Sequence, residues 1–209
     1  MIECSHISFS YPSRPILSNF SHCFTPGITA IAGTNGSGKT TLLKLLTGLA
    51  LPNAGEVKVD GFDTRRQWES VRQAIGIAMY SERAYNFRLS GYHNAEYLGA
   101  LNGFTATEMR AKEEKLFSHF DGSAFFSPRY GELSLGQRSI FSVLLAALLA
   151  ESTIIADEPT SALDSRNSKT MYRMLQSFAH DGFTVIVTTH DKGLIDQADS
   201  ILNSGGFMR

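Results

Sequence analysis

The fold of this chain is decided by the stretch Gly33-Thr34-Asn35-Gly36-Ser37-Gly38-Lys39-Thr40. It fits the phosphate-loop pattern G-x-x-x-x-G-K-[S/T] at every fixed position. The apolar run 28–32 precedes it and the apolar segment 40–46 follows it, which predicts a strand, a loop and a helix in that order. This succession is the structural setting that the pattern requires.

The chemistry of this loop favours a bound phosphate. Its glycines allow a tight turn with backbone N–H groups pointing inward, and those groups form an anion site together with the start of the helix. We expect Lys39 to reach the β- and γ-phosphates and the Thr40 hydroxyl to bind Mg²⁺. The sequence therefore predicts a site for a nucleoside triphosphate. The residues predicted to hold it are Gly33, Asn35, Gly36, Ser37, Gly38, Lys39, Thr40 and Thr41.

The composition indicates one globular domain. The 209 residues are 43% hydrophobic and 19% charged, which is enough apolar material for a core. The net charge of −1 gives no basic surface, so we expect no nucleic-acid partner.

Cys4 and Cys23 have no metal-binding spacing, and we expect both to be reduced, buried thiols of a cytosolic protein. We expect no signal peptide and no membrane span, because the chain opens with strand-like sequence and the apolar run 140–150 is shorter than the roughly 20 residues of a span.

Strands and helices alternate along the chain. Segments 2–11 and 16–24 predict a strand pair around a proline turn, and 56–60 and 75–79 predict further strands. Thr105 and Glu108 predict a capping box at the start of a helix that reaches Phe120. Helices are also predicted over 133–150 and 164–179, next to strands 153–156 and 184–188. This order predicts an α/β fold with a parallel sheet between helices.

Three further motifs follow the phosphate loop in order: Leu133-Ser134-Leu135-Gly136-Gln137, then Asp157-Glu158 after an apolar strand, then Ser161-Ala162-Leu163-Asp164. His190 closes the next strand. Together with the phosphate loop, they resemble the ATP-binding cassette (ABC) family, the ATPase subunits of ABC transporters. The resemblance extends from Ser8-Phe9-Ser10-Tyr11 to Gly205-Gly206. It implies a mixed, mostly parallel sheet flanked by helices, an N-terminal antiparallel β part and a small helical subdomain.

The resemblance also implies roles for single residues. Tyr11 matches an aromatic that stacks on adenine, a role that we favour over that of an ordinary strand aromatic. Asp157 matches the aspartate that supports Mg²⁺, with Thr40 as the second metal residue. Glu158 matches the catalytic residue that polarises the attacking water, a role that contributes roughly 10²–10⁴ in rate. His190 matches the catalytic histidine that contacts the γ-phosphate.

The segment 133–137 has a different role in the family. Ser134, Gly136 and Gln137 are implied to bind the ATP that is held by the phosphate loop of a partner chain. Two chains then enclose two ATP molecules in a two-fold arrangement. The implied partners are a second ATPase subunit, expected to be an identical copy, and a transmembrane permease subunit. The permease would keep this chain on the cytoplasmic face of the cell membrane.

The chain departs from the family in two places. Leu135 stands where the family has a glycine, and its effect on the fit between two chains stays open. The family also places a Mg²⁺-binding glutamine after strand 75–79, whereas this chain has none at Tyr80, Ser81 or Glu82. Glu82 is one possible oxygen ligand. Loss of the contact, with Mg²⁺ left to Thr40 and Asp157, is the other interpretation.

The middle of the chain contains the segments that bear on the direction of transport and on contact with the permease. The run Arg88-Leu89-Ser90-Gly91-x-x-Asn94 is similar to a variant in export cassettes of the ABC-2 type. We expect a nucleotide-binding core at about 1–79 and 140–209, and a helical subdomain at about 80–139 that meets the permease. Its aromatics Tyr85, Phe87 and Tyr92 either form the socket for the permease or pack the subdomain itself.

The motifs are also found, in part, in two other classes of protein. One is an ABC ATPase without transport, in which the chain acts in cofactor assembly; the length of the chain leaves no room for the coiled-coil insertion of DNA-repair cassettes. The other is a phosphate-loop kinase or GTPase. A GTPase needs an Asn-Lys-x-Asp motif, which the sequence lacks, and a kinase would leave 133–137 unexplained. The sequence favours a transport ATPase.

Overall fold

A computed structural model describes residues 1–78 and 84–207. The strands of this part are β1 Ile2–Tyr11, β2 Arg14–Phe24, β3 Gly27–Ala32, β4 Ala54–Val59, β5 Phe62–Asp63, β6 Ile75–Ala78, β7 Thr153–Asp157, β8 Thr184–Thr189 and β9 Ser200–Asn203. The helices are α1 Lys39–Leu46, α2 Trp68–Ala74, α3 Gly91–Leu101, α4 Ala106–His119, α5 Ser123–Phe126, α6 Leu135–Leu149, α7 Ser165–His180 and α8 Lys192–Ile195. Short 3-10 turns lie at Tyr130–Glu132 and Ser204–Gly206.

The strands of the described residues form two sheets. The first has the order β2-β1-β4-β5 and antiparallel pairs, and the second has the order β6-β7-β8-β3-β9 and parallel pairs. The predicted α/β architecture with an antiparallel N-terminal part is confirmed. Strand β8, with the sequence TVIVTT, is buried along its whole length, as a central strand of a covered parallel sheet should be.

Parallel pairing places the functional segments at one edge of the second sheet. Strands β3, β7 and β8 are neighbours, and the phosphate loop, Glu158 and His190 each follow the carboxyl end of one of them. Ligands in open α/β sheets bind at this edge, where the strand order reverses. The sheet order therefore assembles the site from three distant parts of the sequence.

The helices begin where their capping residues predict. Thr105 and Glu108 form the predicted capping box of α4, and Asp164 accepts a hydrogen bond from the Asn167 N–H at the start of α7. Helix α6 is buried from Ile140 to Leu148 and packs against β6 and β7. Burial on this scale explains why its sequence is apolar on all sides.

One expectation about burial changes in the structure. Cys4 is buried, and burial raises the pKa of its thiol to about 12, but Cys23 is exposed, so the prediction of two core thiols is wrong for Cys23. The two residues lie at neighbouring positions of the β1–β2 pairing, where side chains alternate between the faces of the sheet.

Among the described residues, no helix is long and apolar enough to cross a membrane.

The aromatics of the middle segment mostly pack inward. The Tyr85 hydroxyl lies 2.8 Å from the Ser142 hydroxyl, and its ring meets Phe141 edge to face at 5.2 Å. Tyr92 contacts Phe126 at 5.6 Å between ring centres. Phe87 is 40% exposed. Tyr92 therefore packs the subdomain, and Tyr85 both packs internally and lines a surface groove beside Ile77 and Leu98.

Candidate active site

The phosphate loop connects β3 to α1 and depends on glycine geometry. Gly38 precedes α1 with φ 98°, and Gly36 has φ 75°, a region that L-residues with a Cβ rarely adopt. A Cβ at Gly38 would also lie 2.7 Å from the Ile16 side chain. The Ile16 contact explains why the loop can lie so close to β2 only with glycine at this position.

Lys39 lies at the base of the loop. It is 6% exposed, and its Nζ donates hydrogen bonds to the carbonyl oxygens of Gly33, at 2.8 Å, and Thr34, at 3.1 Å. The same Nζ lies 3.8 Å from Glu158 Oε1. A buried ammonium group is therefore held inside the loop that the sequence predicts to bind phosphate.

Hydrogen bonds join the start of α1 to the ends of β7 and β8. The Thr40 hydroxyl donates to Asp157 Oδ2 at 2.9 Å, and the Thr188 hydroxyl donates to Asp157 Oδ1. The Glu158 N–H donates to Thr188 Oγ1 at 2.9 Å and to the Thr188 carbonyl at 3.1 Å. This network fixes both carboxylate residues against the neighbouring strand, where Asp157 and Thr188 are paired.

Glu158 has an unusual conformation and an unsatisfied side chain. Its φ of 49° lies in the left-handed region, which costs energy for a residue with a Cβ. His190 Nδ1 lies 2.9 Å from Glu158 Oε2, but the contact is too poorly aligned for a hydrogen bond. Both carboxylate oxygens are buried, and no hydrogen bond from the described residues reaches them. A buried carboxylate without donors is suited to accept a proton or bind a water molecule.

These side chains surround an open cleft of about 520 Å³. Its lining is Tyr11, Arg14, Ile16, Asn35, Gly36, Gly38, Lys39, Thr40, Thr41, Asp157, Glu158 and Ser161. The Ser37 hydroxyl of the phosphate loop is buried and has no hydrogen-bond partner among the described residues. The Thr40 hydroxyl and the Asp157 carboxylate are oxygen ligands of the kind that Mg²⁺ prefers. The residues present therefore fit a triphosphate with its Mg²⁺.

Tyr11, the last residue of β1, also lines this cleft. Its side chain is 44% exposed, and its ring meets Phe9 edge to face at 5.1 Å. The contact with Phe9 leaves part of the ring accessible in the cleft. This geometry is compatible with stacking on a base and equally with the role of an ordinary strand aromatic.

Ser134, Gly136 and Gln137 are not part of the described lining of this cleft. Ser134 is exposed and caps α6: its Oγ accepts from the Gln137 N–H at 3.2 Å, and Gln137 Oε1 accepts from the Ser134 N–H at 2.9 Å. Gly136 lies against the loop before α7, because a Cβ there would meet the Leu163 side chain at 3.2 Å. Leu135 is 55% exposed beside Ser134.

Sequence reasoning missed two contributors to the site. Arg14 lines the cleft and donates from Nη2 to the Gly36 carbonyl at 2.8 Å. Thr188 joins Asp157 to Glu158, as described above. Thr188 lies two residues before His190, near the end of β8, and this position is a sequence signal for a site residue. The strand pairing that places it beside Asp157 cannot be read from the sequence. The expectations about Tyr80, Ser81 and Glu82 lie outside the described residues.

Comparison with known proteins agrees with this arrangement of motifs. A model of the ABC transporter family matches residues 17–161, which include the phosphate loop, Ser134 and Glu158. The chain belongs to the ABC transporter family. It is an ATP-binding ATPase subunit of that family.

Individual relatives support the same assignment. The ABC transporter ATP-binding protein NatA of Bacillus subtilis (strain 168) is 32% identical over 163 residues, which cover 78% of this chain and 66% of NatA. A putative ABC transporter ATP-binding protein of Deinococcus radiodurans is 30% identical over 203 residues, which cover 97% of this chain and 88% of that protein. The fold is shared with the dimeric structure of MJ0796, a bacterial ABC transporter cassette, with a TM-score of 0.82 at 24% identity over 98% of this chain and 95% of that one.

Proposed function

We propose that this ABC cassette uses the cleft at the ends of β3, β7 and β8 to hydrolyse ATP and that hydrolysis drives transport through a membrane-embedded partner. The observation that carries the proposal is the Glu158 carboxylate, whose buried oxygens accept no hydrogen bond from the described residues and lie 3.8 Å from the Lys39 ammonium at the nearer oxygen. A general base and a phosphate-binding cation thus share one cleft. This pairing suits attack of water on a terminal phosphate.

Each residue has one task in the proposed reaction. The phosphate-loop N–H groups and Lys39 bind the phosphates, because phosphate oxygens are stronger acceptors than the Gly33 and Thr34 carbonyls that Lys39 now contacts. Glu158 takes the proton of the attacking water, and His190, whose Nδ1 lies 2.9 Å from Glu158 Oε2, would contact the γ-phosphate. Thr40 and Asp157 would hold Mg²⁺, which supplies charge neutralisation on the phosphates. Tyr11 would stack on the base.

We also propose that two copies of the chain act together. Ser134 is exposed at the start of α6, a helix of 15 residues whose first N–H groups favour an anion. Because it does not line its own cleft within the described structure, it is available to the ATP of another copy. Gly136 and Gln137 hold this helix start in place. A homodimer that encloses two ATP molecules follows from this arrangement.

The proposed permease site is an apolar groove between strand β6 and helices α3 and α6. The groove has a volume of about 310 Å³. Its apolar lining includes Leu49, Ile75, Ile77, Leu98, Leu145 and Leu149. Trp68, 56% exposed, and Leu101, 52% exposed, belong to the same part of the surface, where Arg72 contacts both. Exposed apolar surface of this kind marks interaction sites.

This groove supports a division of the chain into a core, about 1–79 and 140–209, and a helical subdomain, about 80–139. A permease bound between them would keep the chain at the cytoplasmic face of the membrane. Relatives named as transporter ATP-binding proteins favour this function over a role in cofactor assembly.

We propose export as the direction of transport, on the strength of the segment Arg88–Asn94. Relatives named for macrolide export and for ribose import both match the chain, so the direction rests on this segment alone. Asn94 is 1% exposed, and its side-chain amide forms hydrogen bonds with backbone groups of Asn86, Leu89 and Ser90. These hydrogen bonds fix the segment at the start of α3.

Affinity purification of the tagged chain from its own membranes tests the transport function. We expect a polytopic membrane protein to copurify, and Trp68→Glu to abolish the association while ATP hydrolysis is retained. The exposed control Tyr11→Phe should leave the association intact. Assays with the copurified pair in inside-out vesicles then give the direction: ATP-dependent accumulation of the cargo means export, and its absence there with accumulation in right-side-out vesicles means import.

A further inference from the structure

The Asp191 carboxylate, next to His190 in sequence, is held by donors from several segments. The Tyr172 hydroxyl of α7 donates to Oδ2 at 2.6 Å, and the Gly193 N–H donates to Oδ1 at 2.9 Å. Burial alone would raise the pKa of Asp191, but hydrogen bonds from Tyr172, from Thr160 and from the Gly193 and Leu194 amides lower it below its usual value. Asp191 is therefore a charged acceptor at neutral pH.

Asp191 is linked to the cleft in two ways, through its donor Thr160 and through the backbone. Thr160 is 6% exposed and lies between Glu158 and Ser161, whose N–H donates to the Glu158 carbonyl at 3.1 Å. On the other side, the backbone continues directly from Asp191 to His190, whose ring lies 2.9 Å from the Glu158 carboxylate. The Asp191 side chain thus connects the segment that follows Glu158 with the segment that carries His190.

Tyr172 is the side chain that anchors this connection to a helix. Burial and the hydrogen bond to Asp191 raise the pKa of Tyr172 to about 12, so its hydroxyl remains a donor over the working pH range. The fit is close, because a Cβ at Gly193 would lie 2.8 Å from the Tyr172 hydroxyl. The tyrosine neither lines the nucleotide cleft nor belongs to any of the motifs described in the sequence analysis.

We propose that Tyr172 is a positioning residue for ATP hydrolysis, which acts through Asp191 to fix His190 and the segment 158–161 relative to each other. The inference rests on the proposed function of the cleft. Its physical basis is that a misplaced catalytic group costs rate even when the substrate still binds. Loss of the hydroxyl should therefore affect turnover more than ATP affinity.

Tyr172→Phe tests the proposal, because it removes the hydroxyl and keeps the ring that packs beside Gly193. We expect kcat for ATP to fall about tenfold, while KM and the unfolding midpoint stay close to those of the unchanged protein. The matched control is Tyr97→Phe, a hydroxyl deletion on α3 at a side chain that is 59% exposed, which should leave kcat unchanged. An unchanged kcat in Tyr172→Phe would overturn the proposal, as would a fall in kcat matched by a fall in the unfolding midpoint.

Two further readouts separate positioning from a general structural role. In an Asp191→Asn background, Tyr172→Phe should have little additional effect on kcat, since the two side chains act as one unit; additive losses contradict the proposal. The second readout needs no turnover: Tyr172→Phe should shift the NMR resonances of the His190 ring, whereas Tyr97→Phe should not. Absence of that shift refutes the positioning role, and absence of ATPase activity in the unchanged protein refutes the proposed function instead.

Discussion

Lys39 Nζ and Glu158 Oε1 lie 3.8 Å apart, a distance at which a cation and a carboxylate attract each other without a hydrogen bond. The lysine directs its hydrogen bonds to two carbonyls of its own loop, and the glutamate receives none from the described residues. The two groups are thus close together, and neither forms a charge-assisted hydrogen bond with an oppositely charged group among the described residues. The proposed function assigns those interactions to a phosphate and to a water molecule.

Replacement of Lys39 tests the phosphate-binding half of this pair. Lys39→Ala should weaken MgATP binding by about 10- to 100-fold, because a charge-assisted hydrogen bond contributes roughly 1.5–3 kcal/mol. Isothermal titration calorimetry with MgATP measures the change. The control is Lys44→Ala, in the last turn of the same helix, which should bind as the unchanged protein does. Equal affinities for Lys39→Ala and Lys44→Ala would remove Lys39 from the site.

Asp157 should set the metal requirement. Asp157→Asn removes a charge that faces the Thr40 hydroxyl at 2.9 Å, so we expect the Mg²⁺ concentration for half-maximal ATPase activity to rise about tenfold. The assay is phosphate release in a Mg²⁺ titration at saturating ATP. Glu56→Gln, an exposed carboxylate on β4, is the control and should leave the titration unchanged. A Mg²⁺ curve unaffected by Asp157→Asn would contradict the assignment.

Phe141 should be critical for stability. It is fully buried in α6 and contacts Tyr85, Phe126 and Tyr130. Phe141→Ala should lower the free energy of unfolding by about 3–5 kcal/mol, since it deletes a large core side chain and leaves a cavity. Urea denaturation followed by circular dichroism measures this loss. Phe62→Ala, at a side chain that is 38% exposed, is the comparison and should cost less than about 1.5 kcal/mol.

His22 should make stability depend on pH. Partial burial of the ring on β2, against Phe20 and Phe24, lowers the pKa of His22, so the unfolded chain, with an ordinary pKa near 6.5, binds the proton more readily. Stability from this group is therefore present above about pH 6.5 and is lost as pH falls through that value. In His22→Gln, the drop in unfolding free energy between about pH 7.5 and about pH 5.5 should be smaller. An unchanged drop would mean that other groups account for it.

The sequence predicted the elements of the site better than their connections. The phosphate loop and the end of β7 follow from local rules that relate glycine spacing and apolar runs to backbone structure. The link from Asp157 through Thr188 to Glu158 depends on strand pairing, which is a tertiary property. The same limit applies to Arg14, which reaches Gly36 across the chain.

Burial was the other property that the sequence could not settle. Cys23 is exposed because its position on β2 faces away from the core, and Tyr85 packs inward because α6 offers Ser142 and Phe141 as partners. In both cases the residue type was compatible with either environment. Only the arrangement of neighbouring elements decides between them.

In the proposed mechanism, ATP joins two copies of the chain, and Glu158 then activates the water that cleaves it. Sedimentation velocity of Glu158→Gln with saturating MgATP tests both parts together, with phosphate release measured on the same sample. We predict a dimer with ATP, a monomer without it, and a loss of turnover of about 10²–10⁴ relative to the unchanged protein. A Glu158→Gln chain that binds ATP but sediments as a monomer, or one that still turns over ATP at the normal rate, would contradict the account.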